Sequence, residues 1–215
     1  MDVVHPAITR YLEGLAAYDD EPVLLEMEQL AREKNFPIIG RLCGQYLELL
    51  TRSIGAKRIF ELGSGYGYSA YWFSRATGAD AEIHLTDMDP ENKRLALDFL
   101  SRAGIDGPID YHVSDALAAL ADTTGDFDIV YCDIDKEGYP DAWEAGRTKV
   151  RVGGYYICDN MLWSGRVTDS SDEEDPRPKW TDAIKRTNEM IASDPQWRSI
   201  INPTRDGVVT ALRIA

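Results

Sequence analysis

Ile59-Phe60-Glu61-Leu62-Gly63-Ser64-Gly65-Tyr66-Gly67-Tyr68-Ser69 is the stretch that decides the fold. A short apolar run ends in three glycines spaced by two, and Ala70, Trp72 and Phe73 then continue in a helical pattern. This predicts a strand, a tight turn and a helix start. Glycines permit backbone angles that other residues avoid and let a ligand approach the main chain, while the helix N-terminus presents unpaired N–H groups. A nucleoside-bearing cofactor suits such a turn. The dinucleotide fingerprint needs glycine where Tyr68 stands, and the P-loop needs Gly-Lys-Ser/Thr, so neither motif is matched. Plain turn geometry is the alternative reading of the three glycines.

Outward from this turn, short apolar runs alternate with longer amphipathic stretches, as they do around a buried parallel sheet. Strands are predicted at Arg58–Leu62, Glu82–Asp87, Asp110–Val113, Phe127–Asp133, Tyr155–Asp159, Arg198–Ile201 and Val208–Ile214, with helices between them. The last two are joined by residues 202–207, too short a link for a parallel crossover, so they pair as a hairpin. Before residue 55 the pattern is helical, with Val23, Leu24, Met27 and Leu30 in one helix, Leu42, Tyr46, Leu49 and Leu50 in the next, and Pro37 between. The fold class is therefore α/β: a Rossmann-like, doubly wound seven-stranded sheet with its last strand antiparallel and an N-terminal helical cap. One domain over residues 1–215 is expected, with residues 1–55 as cap or dimer region. Its ligands should lie at the carboxyl ends of the strands.

Bulk properties narrow the class. A formal charge of −14 disfavours nucleic acid and anionic membranes as partners. No leader and no run of apolar residues long enough to span a bilayer is read, so a cytoplasmic protein is expected. Cys43, Cys132 and Cys158 are too few and too scattered for a disulfide framework or a thiolate zinc site. Cys132 and Cys158 are expected to pack as neighbours in the core.

Carboxylates stand at or just after the ends of four further strands. Asp87 closes the second, where an acidic group can accept hydrogen bonds from ribose hydroxyls, and Asp115 follows the third, where adenine would lie. Helix capping is the alternative for Asp87, although Asp89 is better placed for it. Cys132-Asp133 ends the fourth strand and Cys158-Asp159-Asn160 the fifth. Neighbouring strands lie about 4.8 Å apart, so Asp133, Asp159 and Asn160 can converge on one cation. An all-oxygen donor set suits Mg²⁺ first, or Mn²⁺ or Ca²⁺, and argues against zinc. Capping of the next helix is the simpler account of any one of these aspartates.

Gly55-Ala56-Lys57-Arg58-Ile59-Phe60-Glu61-Leu62-Gly63 followed by Gly67-Tyr68-Ser69-Ala70 resembles the cofactor motif of cation-dependent, class I S-adenosylmethionine O-methyltransferases of the catechol and caffeoyl-CoA type. Asp133-Ile134-Asp135-Lys136-Glu137-Gly138-Tyr139, Gly153-Gly154, residues 159–167 and Asp206-Gly207 are similar to further motifs of that family, and the likeness runs from about Phe36 to the C-terminus. The resemblance implies that Ile39, Glu61, Gly63, Gly65, Ser69, Asp87, Asp115, Ala116 and Asp133 line the S-adenosylmethionine site. It implies Asp133, Asp159 and Asn160 as metal ligands and Lys136 as the catalytic residue. Asp135, Lys136, Asn160 and Trp163 would border a small hydroxylated acceptor. A homodimer built through the N-terminal helices is implied as well. Two departures stand out: Gly65-Tyr66 replaces a bulkier pair, and Asp87 replaces the more frequent glutamate.

The expected chemistry is in-line transfer of a methyl from sulfonium to an oxyanion. A phenol with pKa about 10 is mostly protonated at neutral pH. A dication would favour its ionisation, and Lys136, its own pKa lowered by burial and the cation, would take the proton. Methylation of a hydroxylated uridine in transfer RNA and a non-catalytic cofactor-binding module are the competing readings. The acidic run Asp169–Asp175 is read as a solvated loop or an acceptor lid, and Trp163 as a pocket wall or a loop anchor. His5, His84 and His112 show no ligand spacing, and His84 reads as a packed core residue.

Overall fold

The computed structural model describes residues 4–17, 21–105, 107–168, 175 and 177–215. The N-terminal cap holds α1 (Pro6–Ala16), α2 (Pro22–Lys34) and α3 (Gly40–Ser53). Then β1 (Arg58–Leu62), α4 (Tyr68–Ala76), β2 (Glu82–Asp87), α5 (Pro90–Arg102), β3 (Ile109–Val113), α6 (Ala116–Asp122) and β4 (Phe127–Cys132) alternate. The chain finishes with α7 (Tyr139–Lys149), β5 (Val150–Cys158), α8 (Pro178–Ser193), β6 (Trp197–Asn202) and β7 (Val208–Arg213). One sheet runs β3-β2-β1-β4-β5-β7-β6. β1 to β5 are parallel, and β7 lies antiparallel to both β5 and β6, as the short 202–207 link requires. The fold expected from the sequence is the fold observed.

β5 is the one strand whose expected bounds differ by more than a residue. It starts at Val150, not Tyr155. Gly153 and Gly154 suggest a break, but the register against β4 shifts between Phe127 and Ile129, and the strand continues through the irregularity. A Cβ at Gly154 would stand 2.6 Å from the Asp128 carbonyl oxygen, so glycine here lets two backbones approach.

Side chains alternate between two apolar layers. Ile59, Ile83, Leu85, Ile129, Tyr131 and Ile157 face α2 to α5, whereas Phe60, Leu62, Val130, Cys132, Tyr156 and Cys158 face α6 to α8. Cys132 and Cys158 are ladder partners, buried and free, as expected of packing thiols. The buried stripe of α3 is Cys43, Gly44, Leu47 and Thr51, while Leu49 of the apolar helical pattern is 63% exposed. Gly44 causes this rotation: with no Cβ it admits the indole of Trp72 on α4, which is fully buried. Among the described residues no helix is long and apolar enough to cross a membrane.

A Cβ at Gly44 would lie 2.2 Å from the Trp72 ring. Gly44→Ala should therefore overpack the α3–α4 contact and lower stability by about 1–3 kcal/mol in urea unfolding, despite alanine's better helix propensity. Unchanged or increased stability would show that the contact is not as tight as described.

Candidate functional site

The glycine turn is held from β2. The Gly63 N–H donates to Thr86 Oγ1 (3.0 Å), which donates to the Glu61 carbonyl (2.9 Å). The Ser64 N–H donates to the Thr86 carbonyl (2.7 Å), and the Thr86 N–H donates to Ser64 Oγ (3.0 Å). Gly63, Gly65 and Gly67 all have positive φ, at 84°, 49° and 86°. A Cβ at Gly63 would stand 2.6 Å from the Asp133 carbonyl oxygen, and one at Gly65 2.7 Å from the Phe36 ring. The space left by the short residue at 65 is thus filled by Phe36, which also packs on Tyr66 with ring centroids 4.9 Å apart.

Glu61 lies completely buried just inside this turn. Its Oε1 accepts from Ser69 Oγ, and its Oε2 has no partner within the protein. Burial pushes its carboxyl up to about 8, with the Asp133 and Asp87 charges adding to the rise and the hydrogen bond from Ser69 opposing it. Ile39 is buried at the start of α3. Asp87, half-buried at the end of β2, accepts from the Asp89 N–H at 2.8 Å, and Asp89 rather than Asp87 caps α5. Asp115 caps α6 by accepting from the Ala118 N–H at 2.9 Å, with Ala116 as the first helical residue. Tyr111 ties this end of the sheet to the turn by donating to the Gly65 carbonyl at 2.5 Å.

The tips of β4 and β5 stand beside that turn. Asp133 N–H donates to the Leu62 carbonyl (2.9 Å) and Asp159 N–H to the Cys132 carbonyl (3.1 Å), which extends the parallel ladders by one step. Asp159 is 2% exposed, and its Oδ1 has no partner within the protein. Burial first, and the Asp133 charge second, raise its pKa well above the carboxylate range, while Arg205 opposes them. Tyr139 anchors the Asp159 backbone by donating its hydroxyl to that carbonyl at 3.0 Å. Asn160 follows at φ 60°, and the Asp206-Gly207 tip of the last hairpin clamps what comes next. Met161 N–H donates to the Gly207 carbonyl and Leu162 N–H to the Asp206 carbonyl, each at 2.8 Å, and Ser164 N–H donates to Asp206 Oδ1.

Lys136 is only 9% exposed, which sets it apart from a surface lysine. Its Nζ donates to Asp133 Oδ1 (2.8 Å) and the Ile134 carbonyl (3.2 Å) and lies 4.9 Å from the Tyr139 ring centre. Burial works against its charge, but the Asp133 charge and hydrogen bond outweigh burial, and the pKa is raised. The lowered value expected from the sequence is corrected here, because burial was weighed without Asp133 in hydrogen-bond contact. Asp135 is exposed ahead of a 3-10 turn at Lys136–Gly138. Trp163, half-buried at φ 47°, packs against Trp180 with centroids 5.6 Å apart. Residues 169–174 of the acidic run lie outside the described residues, while Asp175 accepts from Thr181 Oγ1 at 2.5 Å.

Two carboxylates and an amide could hold a hard cation, and the buried, unpartnered Asp159 Oδ1 fits that role, since such an oxygen is costly without a compensating charge. Glu61 Oε2, equally buried and unpartnered, fits a cationic or N–H-bearing cofactor at the turn. Thr86, Tyr111, Tyr139 and Arg205 complete the site without having been singled out from sequence. Tyr139 stands in the quoted 133–139 motif, but the others act through contacts between distant segments.

The family model for O-methyltransferases matches residues 14–214. A flavonoid 3',5'-methyltransferase of Vitis vinifera is 31% identical over 97% of this chain and 94% of its own length. A caffeoyl-CoA O-methyltransferase of Petroselinum crispum is 28% identical over 97% and 91%. Among solved structures, the O-methyltransferase TomG from Streptomyces achromogenes, involved in tomaymycin synthesis and in complex with SAM, is similar at 28% identity and TM-score 0.80, covering 92% of each chain.

The Glu61 environment generates a pH dependence. Without cofactor the folded chain keeps a proton up to about pH 8 that the unfolded chain releases near its ordinary 4.5. Stability from this group is complete below 4.5 and is lost as pH rises through about 8. The melting temperature of Glu61→Gln minus that of the wild type should grow across this window. A difference that stays constant with pH would remove the buried-carboxyl account.

Proposed function

Since the chain belongs to the O-methyltransferase family and is an S-adenosylmethionine-dependent O-methyltransferase, we propose that it requires a divalent cation, Mg²⁺ first, and methylates a hydroxyl of a small catechol-like acceptor. The observation that carries this reading is the buried, unpartnered Asp159 Oδ1 at the tip of β5, next to the β4 tip that bears Asp133 and Lys136, with the equally unpartnered Glu61 Oε2 on β1 at the other side of β4. When bound, S-adenosylmethionine supplies the methyl group, and the cation supplies a Lewis acid that favours the ionised acceptor oxygen.

On this reading Ile39, Glu61, Gly63, Gly65, Ser69, Asp87, Asp115 and Ala116 receive the cofactor, with Asp133 at its boundary. Glu61, whose Oε2 is unpartnered, would accept from an N–H of the cofactor, and Asp87 would accept from its ribose hydroxyls. Asp133, Asp159 and Asn160 hold the cation. Lys136 Nζ keeps or yields a proton according to how much of the Asp133 charge faces it, and burial alone drives it toward the neutral base. Asp135, Asn160 and Trp163 border the acceptor, and the clamp from Asp206-Gly207 fixes the 161–164 loop that carries Trp163. Orientation of reacting atoms by this rigid frame is the main source of rate. The caffeoyl-CoA and flavonoid activities named for the relatives support a phenolic acceptor. The net charge of −14 weighs against RNA.

Labelled cofactor, Mg²⁺ and a panel of catechols, flavonoids, acyl-CoA phenols and transfer RNA, with and without chelator, test the reading. Chelator-sensitive label on a phenolic acceptor is the expected result, and label on RNA alone would overturn it. Lys136→Ala should lower turnover about 10²-fold or more with cofactor affinity nearly unchanged. Asp159→Asn should shift the Mg²⁺ titration to higher concentration, and an unshifted curve would remove it as a ligand.

An exposed face on α1 supports a homodimer. Ile8, Tyr11, Leu12 and Leu15 form an exposed apolar stripe at helical spacing, and Leu49 is exposed on α3, on which α1 packs. A second copy of the chain covers this face. Sedimentation should give a dimer that Tyr11→Glu with Leu15→Glu dissociates, whereas a monomeric wild type at micromolar concentration would refute the assignment.

A further inference from the structure

On the opposite face of the sheet from Glu61, a cluster on β2 and β3 remains that the transferase reading does not use. Asp110 and His112 are two residues apart on β3 and share a face, and His84 on β2 is the ladder partner of Asp110. Three of their atoms form a triangle: His84 Nδ1 lies 3.2 Å from His112 Nε2 and 3.8 Å from Asp110 Oδ2, and the last two are 3.5 Å apart. Three ligands bound at about 2.0–2.1 Å in a tetrahedron stand about 3.4 Å from one another, so the side chains already sit at coordinating separations.

The surroundings of His84 match those of a metal-bound imidazole. Its Nε2 meets Glu82 Oε1 at 2.5 Å, and Arg58 donates to the same carboxylate at 2.9 Å, which fixes Glu82 in place. With Glu82 accepting from the Nε2 side, the Nδ1 edge of the ring faces the triangle, the carboxylate–histidine arrangement that orients metal ligands. His84 is 5% exposed and both imidazoles stack over Phe60, so their rings are fixed, while Asp110 and His112 open onto a surface cleft of about 440 Å³. In the metal-free state one hydrogen bond between His112 Nε2 and His84 Nδ1 joins the pair and the Asp110 carboxylate faces both rings, whereas a cation would engage all three groups at once.

We propose that His84, Asp110 and His112 form a second metal site, for zinc or a similar borderline transition ion, with a fourth position open to the cleft for water or an anion. Two nitrogens and one oxygen favour such ions over Mg²⁺ or Ca²⁺, so the site is chemically distinct from the all-oxygen set of Asp133, Asp159 and Asn160. The ion rivets β2 to β3, whose ends carry Asp87 and Asp115. This proposal does not rest on the transferase mechanism. Packing of His84 in the core, expected from sequence, holds together with a ligand role for its Nδ1.

Untagged, chelator-stripped protein titrated with Zn²⁺ and Co²⁺ in saturating Mg²⁺ tests the site, with Asp159→Asn as the background that excludes the other carboxylates. One equivalent should bind with a Kd of about 10 μM or tighter. Co²⁺ should give the intense visible bands of a tetrahedral site, and the melting temperature should rise with metal. His112→Ala and Asp110→Asn should each weaken binding about 10-fold or more, and Glu82→Gln by a comparable factor through the tautomer of His84. Metal-free melting curves check that the variants fold. Weaker wild-type binding, absence of the Co²⁺ bands, or unchanged affinity in both His112→Ala and Asp110→Asn would overturn the proposal.

Discussion

Glu61 and Asp159 are carboxylates carried below the protein surface at the ends of two strands, each with one oxygen that no protein group satisfies. An ionised carboxylate in that position is destabilising by several kcal/mol unless charge or hydrogen bonds are supplied, or unless it takes up a proton. Much of the surrounding structure serves to hold these two groups where relaxation cannot relieve them. Both strands are central in the sheet, flanked on each side, and covered by apolar layers on both faces. Thr86 pins the backbone around Glu61, and Tyr139 pins that of Asp159. The frame is therefore rigid at the points where the charges are least comfortable, which is the condition for a site that gains strongly when ligands arrive.

Strand alternation decides which side chains join this frame. Tyr131 and Asp133, like Ile157 and Asp159, are two residues apart and point to one face, toward α3 and its Cys43. Cys132 and Cys158 point to the other, where they pack with Tyr156 under α7 and α8. One sheet thus keeps its thiols away from its oxygen donors with no more than a period of two. The same rule, applied to β2 and β3, gathers His84, Asp110 and His112 on the face that bears Phe60.

The topology was legible because its signals are local. Gly63, Gly65 and Gly67 mark the first crossover, each strand end is punctuated, and the brevity of residues 202–207 forces a hairpin. That Asp133 and Asp159 stand at adjacent strand tips was legible for a related reason: parallel neighbours in register put their first loop residues side by side. What escaped depends on pairs far apart in the chain. The burial of Cys43 and Gly44 in place of Leu42 follows from Trp72, nearly thirty residues on, and the charge state of Lys136 follows from a hydrogen bond whose geometry only the folded loop defines. The histidine cluster escaped because spacing within one segment cannot reveal ligands that two strands share.

The two departures from the family pattern have different physical standing. At Gly65 the missing side chain is replaced from another element: Phe36 lies where a Cβ would go, and Tyr66 reaches back to donate to the Met27 carbonyl at 3.0 Å. The cap and the turn therefore interlock, and the volume lost in one segment is restored by the other, so the turn keeps its shape. At Asp87 nothing restores the missing methylene. Its carboxylate bonds the Asp89 N–H, which draws it toward its own backbone and away from the cleft. In the proposed ribose role, Asp87 would need the sugar to come closer to the tip of β2 or to compete with that local bond. If Glu61 and the glycine turn fix the other end of the cofactor as proposed, any adjustment falls on the β2–β3 end of the sheet, where the loops after Asp87 and Val113 are more exposed than the central strands.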